Sequence, residues 1–293
     1  MSLRSERLRE VLRGPGCLPA APIFDPLSAR IAEVSGWRVC KLAGSVAKAT
    51  ELCLPDGVPL SNATDIVEIC RRINRVIETS LMVDVDDAGE TPLQVYRLVR
   101  DLEEVDVAAI EIEDNLVPRE LGSAEGRHSQ LIPTDEQVDK LKTALAARRD
   151  ASTVIIARTS ALSELPLPDA LRRIEAYAGS GVDALMLPGI APKTRSLIEA
   201  VHEVTDLPLC VVGLTQEMIE DRGYLERNAV RIRYFGQPVY GMAVKTIHDS
   251  LEHLKAGGRL EELDSLRAKP ELLNAITRSG ELAAWSRAHP FSS

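Results

Sequence analysis

The chain has 293 residues, of which 45% are hydrophobic and 27% are charged, a composition typical of a globular protein with a sizeable core. Its 35 Lys and Arg residues against 44 Asp and Glu residues give a formal net charge of −9, so the basic surface that attracts nucleic acids or anionic membranes is not expected. Aromatic residues make up only 3%, too few for the base-stacking surfaces of single-strand binders, which leaves a small molecule as the expected partner.

The first predicted element is a charged amphipathic helix over Ser5–Leu12. It contains no apolar core of signal-peptide length, and no later segment reaches the length of a membrane span, so we expect a cytoplasmic protein. The five cysteines are odd in number and lack the C-x-x-C spacing of metal sites. Reduced and mostly buried thiols are therefore expected.

Short β-branched and apolar runs recur along the rest of the chain, separated by longer segments with helical periodicity. The runs predict eight strands: Ala20–Phe24, Val39–Ala43, Leu81–Asp86, Ala108–Glu113, Thr153–Arg158, Ala184–Pro188, Leu209–Gly213 and Val230–Phe235. The intervening segments predict helices over Asp65–Ile77, Pro92–Leu102, Asp135–Ala147, Leu167–Ala178, Thr194–Val204 and Gln216–Asn228. This alternation indicates a parallel sheet, because parallel neighbours need crossover connections.

Eight strand–helix units favour a (β/α)8 TIM-type barrel, which typically has about 250 residues. We expect one domain over residues 1–293, with the barrel at about 18–256 and a helical extension at about 257–293. The additions are the N-terminal helix, a long helix at Tyr240–Lys255 and a terminal helix at Glu271–Ala288. The alternative is a doubly wound open sheet, although the chain has neither G-x-G-x-x-G after the first strand nor a G-x-x-x-x-G-K-[ST] loop.

In such a barrel the chemistry lies at the carboxyl ends of the strands, so the residues that end each strand form the candidate site. Most of these residues are polar. In chain order they are Asp25, Gly44, Ser45, Asp84, Asp86, Asp87, Glu113, Asp114, Arg158, Gly236 and Gln237.

Carboxylates are concentrated at the ends of the third and fourth predicted strands. The alternation Asp84-Val85-Asp86 places both acids on one strand face, and Glu111-Ile112-Glu113 repeats the pattern. Converging carboxylates repel one another unless a cation holds them, and Mg²⁺ prefers oxygen ligands. We therefore predict a Mg²⁺ site here, with solvated loop acids or helix caps as the alternative, which stays equally open for Asp87 and Asp114.

Arg158 ends the fifth predicted strand as its lone cation, at the buried rim of the barrel. Either it is bonded to the nearby acids or it clamps a substrate carboxylate or phosphate with its planar fork, and we favour the clamp. Gly44 and Ser45 offer backbone N–H groups and a hydroxyl to a carboxylate or an enolate oxygen. A plain turn at the end of the strand is the alternative for these two residues.

Four of the five histidines fall on predicted helices or in the C-terminal tail, so a histidine base at the barrel mouth is not expected. The exception is His128, in the loop Asn115–Leu131, whose length is typical of a lid. A solvated surface role is expected for His128. The loop contains no cysteine, which excludes a thiol acid or nucleophile from it.

The order and spacing of several segments resemble the isocitrate lyase and phosphoenolpyruvate mutase superfamily, over most of the barrel. Within it, the segment from Glu113 to Gly122 resembles the bacterial oxaloacetate decarboxylases, where the isocitrate and methylisocitrate lyases would carry a Lys-Arg-Cys-Gly-His lid. The other matching segments are Phe24-Asp25-Pro26-Leu27-Ser28-Ala29-Arg30, Gly44-Ser45-Val46-Ala47, Asp56, Asp84-Val85-Asp86, Ile112-Glu113-Asp114 and Ile155-Ile156-Ala157-Arg158-Thr159.

The resemblance implies a Mg²⁺-dependent enzyme acting on a 2-oxo acid, with Mn²⁺ able to substitute. The metal would be held directly by Asp84, and through water by Asp56, Asp86 and Glu113. The substrate carboxylate would be bound by Arg158, by Ser45 and by the adjacent backbone amides. The residues that this implies around the start of the segment are Gly44, Ser45 and Ala47. The resemblance also implies a homotetramer in which a C-terminal helix is swapped onto a neighbouring subunit.

Two departures from the family pattern concern the loop after the third strand and the end of the eighth. The family continues Asp-Ala-Asp with a small residue and Gly-Tyr-Gly, whereas this chain reads Asp86-Asp87-Ala88-Gly89-Glu90-Thr91. The decarboxylases carry a substrate-contacting histidine where this chain has Gln237. A glutamine can donate a hydrogen bond to an enolate oxygen, but it cannot carry a proton.

The resulting hypothesis is decarboxylation of oxaloacetate, or a close 2-oxo diacid, to pyruvate and CO2, with the metal acting as a Lewis acid and Arg158, Ser45 and Gln237 acting on the substrate. One alternative is a C–C or P–C bond lyase of the same superfamily, similar to methylisocitrate lyase or phosphonopyruvate hydrolase. Another is a barrel that binds an oxo acid, or serves as an oligomeric scaffold, without catalysis.

Overall fold

A computed structural model describes residues 2–56, 62–116, 130–188 and 193–289. In these ranges nine strands form one sheet: β1 (Leu18–Pro19), β2 (Ala21–Ile23), β3 (Val39–Leu42), β4 (Ser80–Asp84), β5 (Ala109–Glu113), β6 (Val154–Arg158), β7 (Ala184–Leu187), β8 (Leu209–Val212) and β9 (Val230–Tyr234). All pairings are parallel, in the order β1-β9-β8-β7-β6-β5-β4-β3-β2.

The two short strands β1 and β2 close the barrel: β2 lies within the predicted first strand Ala20–Phe24, and β1 lies directly before it and was not predicted. β1 pairs with β9, and β2 pairs with β3 on the other side. Between them, the Ala20 N–H donates to the Arg233 carbonyl at 3.0 Å. The (β/α)8 TIM-type barrel is thus confirmed, and the open sheet is excluded.

Most of the helices follow a strand and cover the outside of the sheet. They are α1 (Leu3–Arg13), α2 (Pro26–Val34), α3 (Gly44–Leu52), α4 (Ala63–Asn74), α5 (Pro92–Glu104), α6 (Thr134–Ala147), α7 (Ala161–Glu164), α8 (Leu167–Ala178), α9 (Arg195–Val204), α10 (Gln216–Glu220), α11 (Arg222–Arg227), α12 (Pro238–Lys255), a 3-10 helix (Leu260–Leu266), α13 (Pro270–Ile276) and α14 (Ser279–Ala288).

The predicted helices are present, but two of them are divided. Gln216–Asn228 breaks at Asp221, whose carboxylate caps α11 by accepting from the Tyr224 N–H at 2.9 Å. Glu271–Ala288 breaks at Arg278, which has a left-handed backbone with φ of 54°. Helix α3, which begins directly at the end of β3, is not among the helices predicted from the sequence.

Buried apolar side chains form one cluster between the sheet and its helices and a second cluster inside the barrel. The inner cluster includes Leu8 and Leu12 of α1 together with Val39, Met82 and Ile156 of the strands. Since α1 precedes β1, it covers the amino-terminal end of the barrel. The carboxyl end, opposite α1, is left open.

The C-terminal elements pack little against the rest of the chain. No residue of α12, the 3-10 helix, α13 or α14 is buried. Large apolar side chains on them are exposed, among them Met242, Ile247, Leu251 and Trp285. Within the described residues, no helix has the length and apolarity needed to cross a membrane.

Replacing Leu8 by alanine is expected to lower the free energy of unfolding by about 2–5 kcal/mol, because the side chain is fully buried at the closed end of the barrel. Urea denaturation monitored by circular dichroism measures the change. Leu3→Ala, on an exposed position of the same helix, is the control and should change it by less than about 0.5 kcal/mol. Equal losses in both variants would contradict the packing role of α1.

Candidate active site

Alternation along the strands aims charged side chains into the barrel at its open end. Successive side chains point to opposite faces, so Asp84 shares the inner face with Met82, and Glu111 shares it with Ala109. The register places Asp84 beside Glu111 on β4 and β5, and it places Glu113 beside Arg158 on β5 and β6. Four ionisable groups are therefore forced into contact inside the barrel by strand register alone.

The Arg158 guanidinium is the centre of this cluster. Its Nη1 contacts Asp84 and lies 3.2 Å from Glu111 Oε1, while its Nη2 lies 3.1 Å from Glu113 Oε2. Burial opposes the charge, but the three carboxylates outweigh it and raise the pKa of Arg158 further above its ordinary value. Of the two alternatives considered for Arg158, the structure shows bonding to the acids. Its Nε has no hydrogen-bond partner among the described residues.

Two buried lysines, which the sequence analysis missed, share the site with Arg158, so Arg158 is the lone cation of its strand but not of the site. Lys41, on the inner face of β3, is 1% exposed and pairs with Glu111. Lys48, on α3, is 2% exposed, contacts Asp86 and lies 3.8 Å from Asp56. Lys41 could have been identified from the sequence, because it is a lysine inside an apolar strand run, where an unpaired charge is costly.

The turn after β4 brings Asp86 into the site, although the predicted strand Leu81–Asp86 ends two residues early, at Asp84. Asp86 adopts a left-handed backbone with φ of 52°, and its N–H donates to Asp84 Oδ1 at 3.1 Å. A Cβ at Gly44 would lie 2.7 Å from Asp86 Oδ1, so a larger residue there would displace this carboxylate. The two acids therefore face one cavity while Val85 packs in the outer core.

Asp84 and Asp86 differ in their tendency to ionise. Burial opposes ionisation of Asp84, but the charges of Arg158 and Lys41 and the N–H groups of Asp86 and Gly44 together lower its pKa. Burial and the neighbouring Asp84 charge raise the pKa of Asp86, against the opposing effect of Lys48. The site thus already holds more negative charge than its cations easily compensate.

Helix α3 begins at Gly44, so the end of β3 is a helix N-terminus rather than a plain turn. Ser45 lies in its first turn and lines the cavity, where backbone N–H groups and the helix dipole favour an anion. Ala47 is different. Its side chain is buried in the outer core and its N–H donates to the Ala43 carbonyl at 3.1 Å, so we remove it from the predicted substrate contacts.

Three further acids at strand ends have structural partners. Asp114, fully buried, accepts from Thr159 Oγ1 at 2.7 Å and from the Tyr177 hydroxyl at 2.8 Å, and it pairs with Arg173. Asp87 accepts from the Gly89 N–H at 3.1 Å. Asp25 caps α2. Asp87 is therefore a loop acid, as the alternative had it, whereas Asp114 is neither a solvated acid nor a helix cap but the acceptor of a buried hydrogen-bonded cluster.

Gln237 follows β9 and lines the cavity together with Tyr234. The Gln237 side-chain amide donates from Nε2 to the Tyr234 hydroxyl, and its Oε1 has no partner among the described residues. Tyr234 was not predicted as a site residue. The alternation Val230-Arg231-Ile232-Arg233-Tyr234 could have identified it, since it is the last inward-facing position of an amphipathic strand.

The cavity enclosed by these elements has a volume of about 320 Å³. Its lining includes seven residues predicted to bind metal or substrate: Ser45, Asp56, Asp84, Asp86, Glu113, Arg158 and Gln237. The other described lining residues are Lys41, Ala43, Asn115, Ser160, Ser163, Glu164, Met186, Pro188, Val212, Tyr234 and Gly236. Most of the predicted lid, including His128, lies outside the described residues.

The donor set fits a hard divalent cation. Within the described ranges, no three His, Cys, Asp or Glu side chains close around a single point, because Arg158 and Lys48 engage the acids. An ion held directly by one carboxylate and through water by others does not need such convergence, and Mg²⁺ usually binds in this way. Oxygen-only donors around a buried, negatively charged wall suit Mg²⁺ better than softer metals.

Comparison with known proteins identifies the family of the chain. The phosphoenolpyruvate phosphomutase family model matches residues 8–255. The oxaloacetate decarboxylase of Bradyrhizobium diazoefficiens is 38% identical over 281 residues, covering 96% of this chain and 95% of the relative. That of Rhodopseudomonas palustris is 38% identical over 276 residues, covering 94% and 93%.

Two solved structures share the fold over nearly their whole length. Phosphonopyruvate hydrolase in complex with oxalate and Mg²⁺ is 25% identical, with a TM-score of 0.80 over 98% of this chain and 99% of that one. Phosphoenolpyruvate phosphomutase from Streptomyces platensis is 22% identical, with a TM-score of 0.83 over 97% and 98%.

Lys41→Met is expected to lower the free energy of unfolding by about 3 kcal/mol or more, because it leaves the Glu111 charge buried with one partner fewer. Adding Glu111→Gln should recover part of the loss. Lys245→Met, which breaks an exposed pair with Asp249, is the control and should cost less than about 1 kcal/mol. Urea denaturation at neutral pH makes the comparison, and a Lys41→Met loss no larger than the control would contradict the buried pair.

Proposed function

Because the chain belongs to the phosphoenolpyruvate phosphomutase family, we propose that it is a Mg²⁺-dependent lyase that decarboxylates oxaloacetate, or a close 2-oxo diacid, to pyruvate and CO2. The observation that carries the proposal is the cavity in which acids of β4 and β5 meet the helix N-terminus of α3. The oxaloacetate decarboxylases at 38% identity support the choice of substrate.

Asp84 is the residue proposed to hold Mg²⁺ directly, with Asp56, Asp86 and Glu113 acting through water. When bound, the ion supplies a Lewis acid that stabilises the enolate left after CO2 departs. Asp84 suits direct contact because its pKa is lowered, which keeps it ionised. The N–H group of Gly44 contributes to this lowering of the Asp84 pKa.

The substrate is proposed to bind between α3 and Arg158. The hydroxyl and N–H of Ser45, at the start of α3, would bind the carboxylate next to the oxo group. Arg158, which lines the cavity, is fixed by three carboxylates, so its guanidinium is oriented before substrate arrives. Gln237 completes the pocket beside the oxo oxygen.

The cavity lining suits a reaction in which the distal carboxylate of the substrate leaves as neutral CO2. In the described part of that lining the cations are Lys41 and Arg158, and both already contact carboxylates. The rest of the lining is neutral or acidic, including Ser160, Ser163 and Glu164. A distal carboxylate in this surrounding gains no strong ion pair, so its conversion to CO2 breaks none.

We extend the proposal to a cytoplasmic homotetramer in which C-terminal helices pack on neighbouring subunits. The support is the exposed apolar series on α12, which has no buried residue within its own chain. Light scattering should give four times the 32.0 kDa chain mass, and a monomer would contradict the assembly.

Purified protein with Mg²⁺ should release pyruvate from oxaloacetate well above the rate with Mg²⁺ alone, measured by coupling to lactate dehydrogenase. EDTA should abolish the excess. Phosphonopyruvate and 2-methylisocitrate serve as alternative substrates. Turnover of either one instead of oxaloacetate would replace the proposal with a P–C or C–C lyase, and oxalate binding without turnover of any substrate would indicate a binding protein.

Asp84→Asn should weaken Mg²⁺ binding by about 100-fold or more, since it removes the charge of the direct ligand. Isothermal titration calorimetry measures this without requiring turnover. Asp87→Asn is the matched control three residues along the chain, because asparagine retains the oxygen that accepts from Gly89. Equal Mg²⁺ affinity in wild type and Asp84→Asn would rule out the proposed ligand.

A further inference from the structure

The proposed decarboxylation, on which this inference rests, ends when carbon 3 of the pyruvate enolate takes up a proton. The described cavity lining contains neither histidine nor cysteine, the side chains that commonly deliver a proton near neutral pH. Gln237, which contacts the Tyr234 hydroxyl, has no ionisable proton. We propose that the hydroxyl of Tyr234 is the catalytic acid that protonates carbon 3.

The placement of Tyr234 follows from its strand. Buried and half-buried residues alternate along β9, with Ile232 and Tyr234 both part of the cluster inside the barrel. Tyr234 is the last residue of β9 and pairs in register with Val212, which also lines the cavity. Its ring therefore packs on the apolar interior while the residue reaches the open end, and only 7% of it is exposed.

The contacts of the phenol leave its proton available. Gln237 Nε2 donates to the Tyr234 oxygen, which therefore acts as the acceptor in that bond and directs its own O–H elsewhere. The Lys41 ammonium lies 5.4 Å from the ring centroid. Both neighbours would stabilise a transient phenolate, Gln237 by its hydrogen bond and Lys41 by its charge.

The phenol is also protonated in the resting site. Burial and the charges of Glu111 and Asp84 raise the pKa of Tyr234 above its ordinary value, with Arg158 opposing them. The proton donor is therefore fully present at neutral pH. A weak acid is adequate here because the acceptor is a carbanion-like carbon, which is a strong base.

The bond between carbons 3 and 4 breaks, its electron pair forms the double bond between carbons 2 and 3, and carbon 4 leaves as CO2. The Tyr234 proton then moves to carbon 3, the carbonyl at carbon 2 is restored, and the phenolate recovers a proton from water. One proton is consumed per turnover, as the overall conversion of oxaloacetate to pyruvate and CO2 requires.

Stereochemistry at carbon 3 tests the assignment, because a fixed donor protonates one face of the enolate and solvent protonates both. Oxaloacetate carrying deuterium in one of its two carbon 3 positions is decarboxylated in tritiated water, and the pyruvate is trapped at once as lactate. The configuration of the chiral methyl group is then determined. Wild type should give one configuration in large excess, and Tyr234→Phe should give equal amounts of both.

The control is Tyr224→Phe, a buried tyrosine whose hydroxyl donates to the Arg195 carbonyl, away from the described cavity lining. It should keep the wild-type configuration. Tyr234→Phe should still release CO2, because the bond between carbons 3 and 4 breaks before carbon 3 is protonated, and this release shows that the variant is folded. A single configuration from Tyr234→Phe, or equal amounts from wild type, would overturn the Tyr234 assignment alone, whereas no CO2 release by wild type would overturn the proposed function together with it.

Discussion

The site depends on one buried ionic contact, the Arg158 guanidinium held by Asp84, Glu111 and Glu113 at the open end of the barrel. Strand register places these four residues on adjacent inward positions, where water cannot solvate them individually. Each charge is therefore tolerated only because its neighbours are present. The same arrangement positions an arginine rigidly in the wall of a cavity of about 320 Å³.

Charge in the cavity is distributed unevenly, and this distribution favours metal-assisted chemistry over chemistry by a protein nucleophile. Acids dominate the side formed by β4 and β5, while the cations Lys41, Lys48 and Arg158 are already engaged with acids. A divalent cation would relieve the repulsion between Asp84 and Asp86 and make the site receptive to a dianionic substrate. The overall charge of −9 is less informative than this local concentration of carboxylates.

The barrel and the acids of the site could be predicted from sequence because both follow from local patterns. Strand alternation identified Asp84 and Glu113, and the strand ends identified Ser45, Arg158 and Gln237. Lys41 and Lys48 could not be assigned in this way, because their burial depends on partners 70 and 38 positions away, which only the closed barrel brings into reach. The separation of β1 from β2 is likewise a consequence of closure, since each pairs with a different neighbour.

A crystal structure with Mg²⁺ and oxalate, which mimics the enolate of pyruvate, tests the central claim most directly. The account predicts Mg²⁺ at about 2.0–2.1 Å from an Asp84 oxygen, with oxalate contacting both Ser45 and Arg158. Mg²⁺ bound away from Asp84, or oxalate bound outside the cavity between α3 and Arg158, would contradict it.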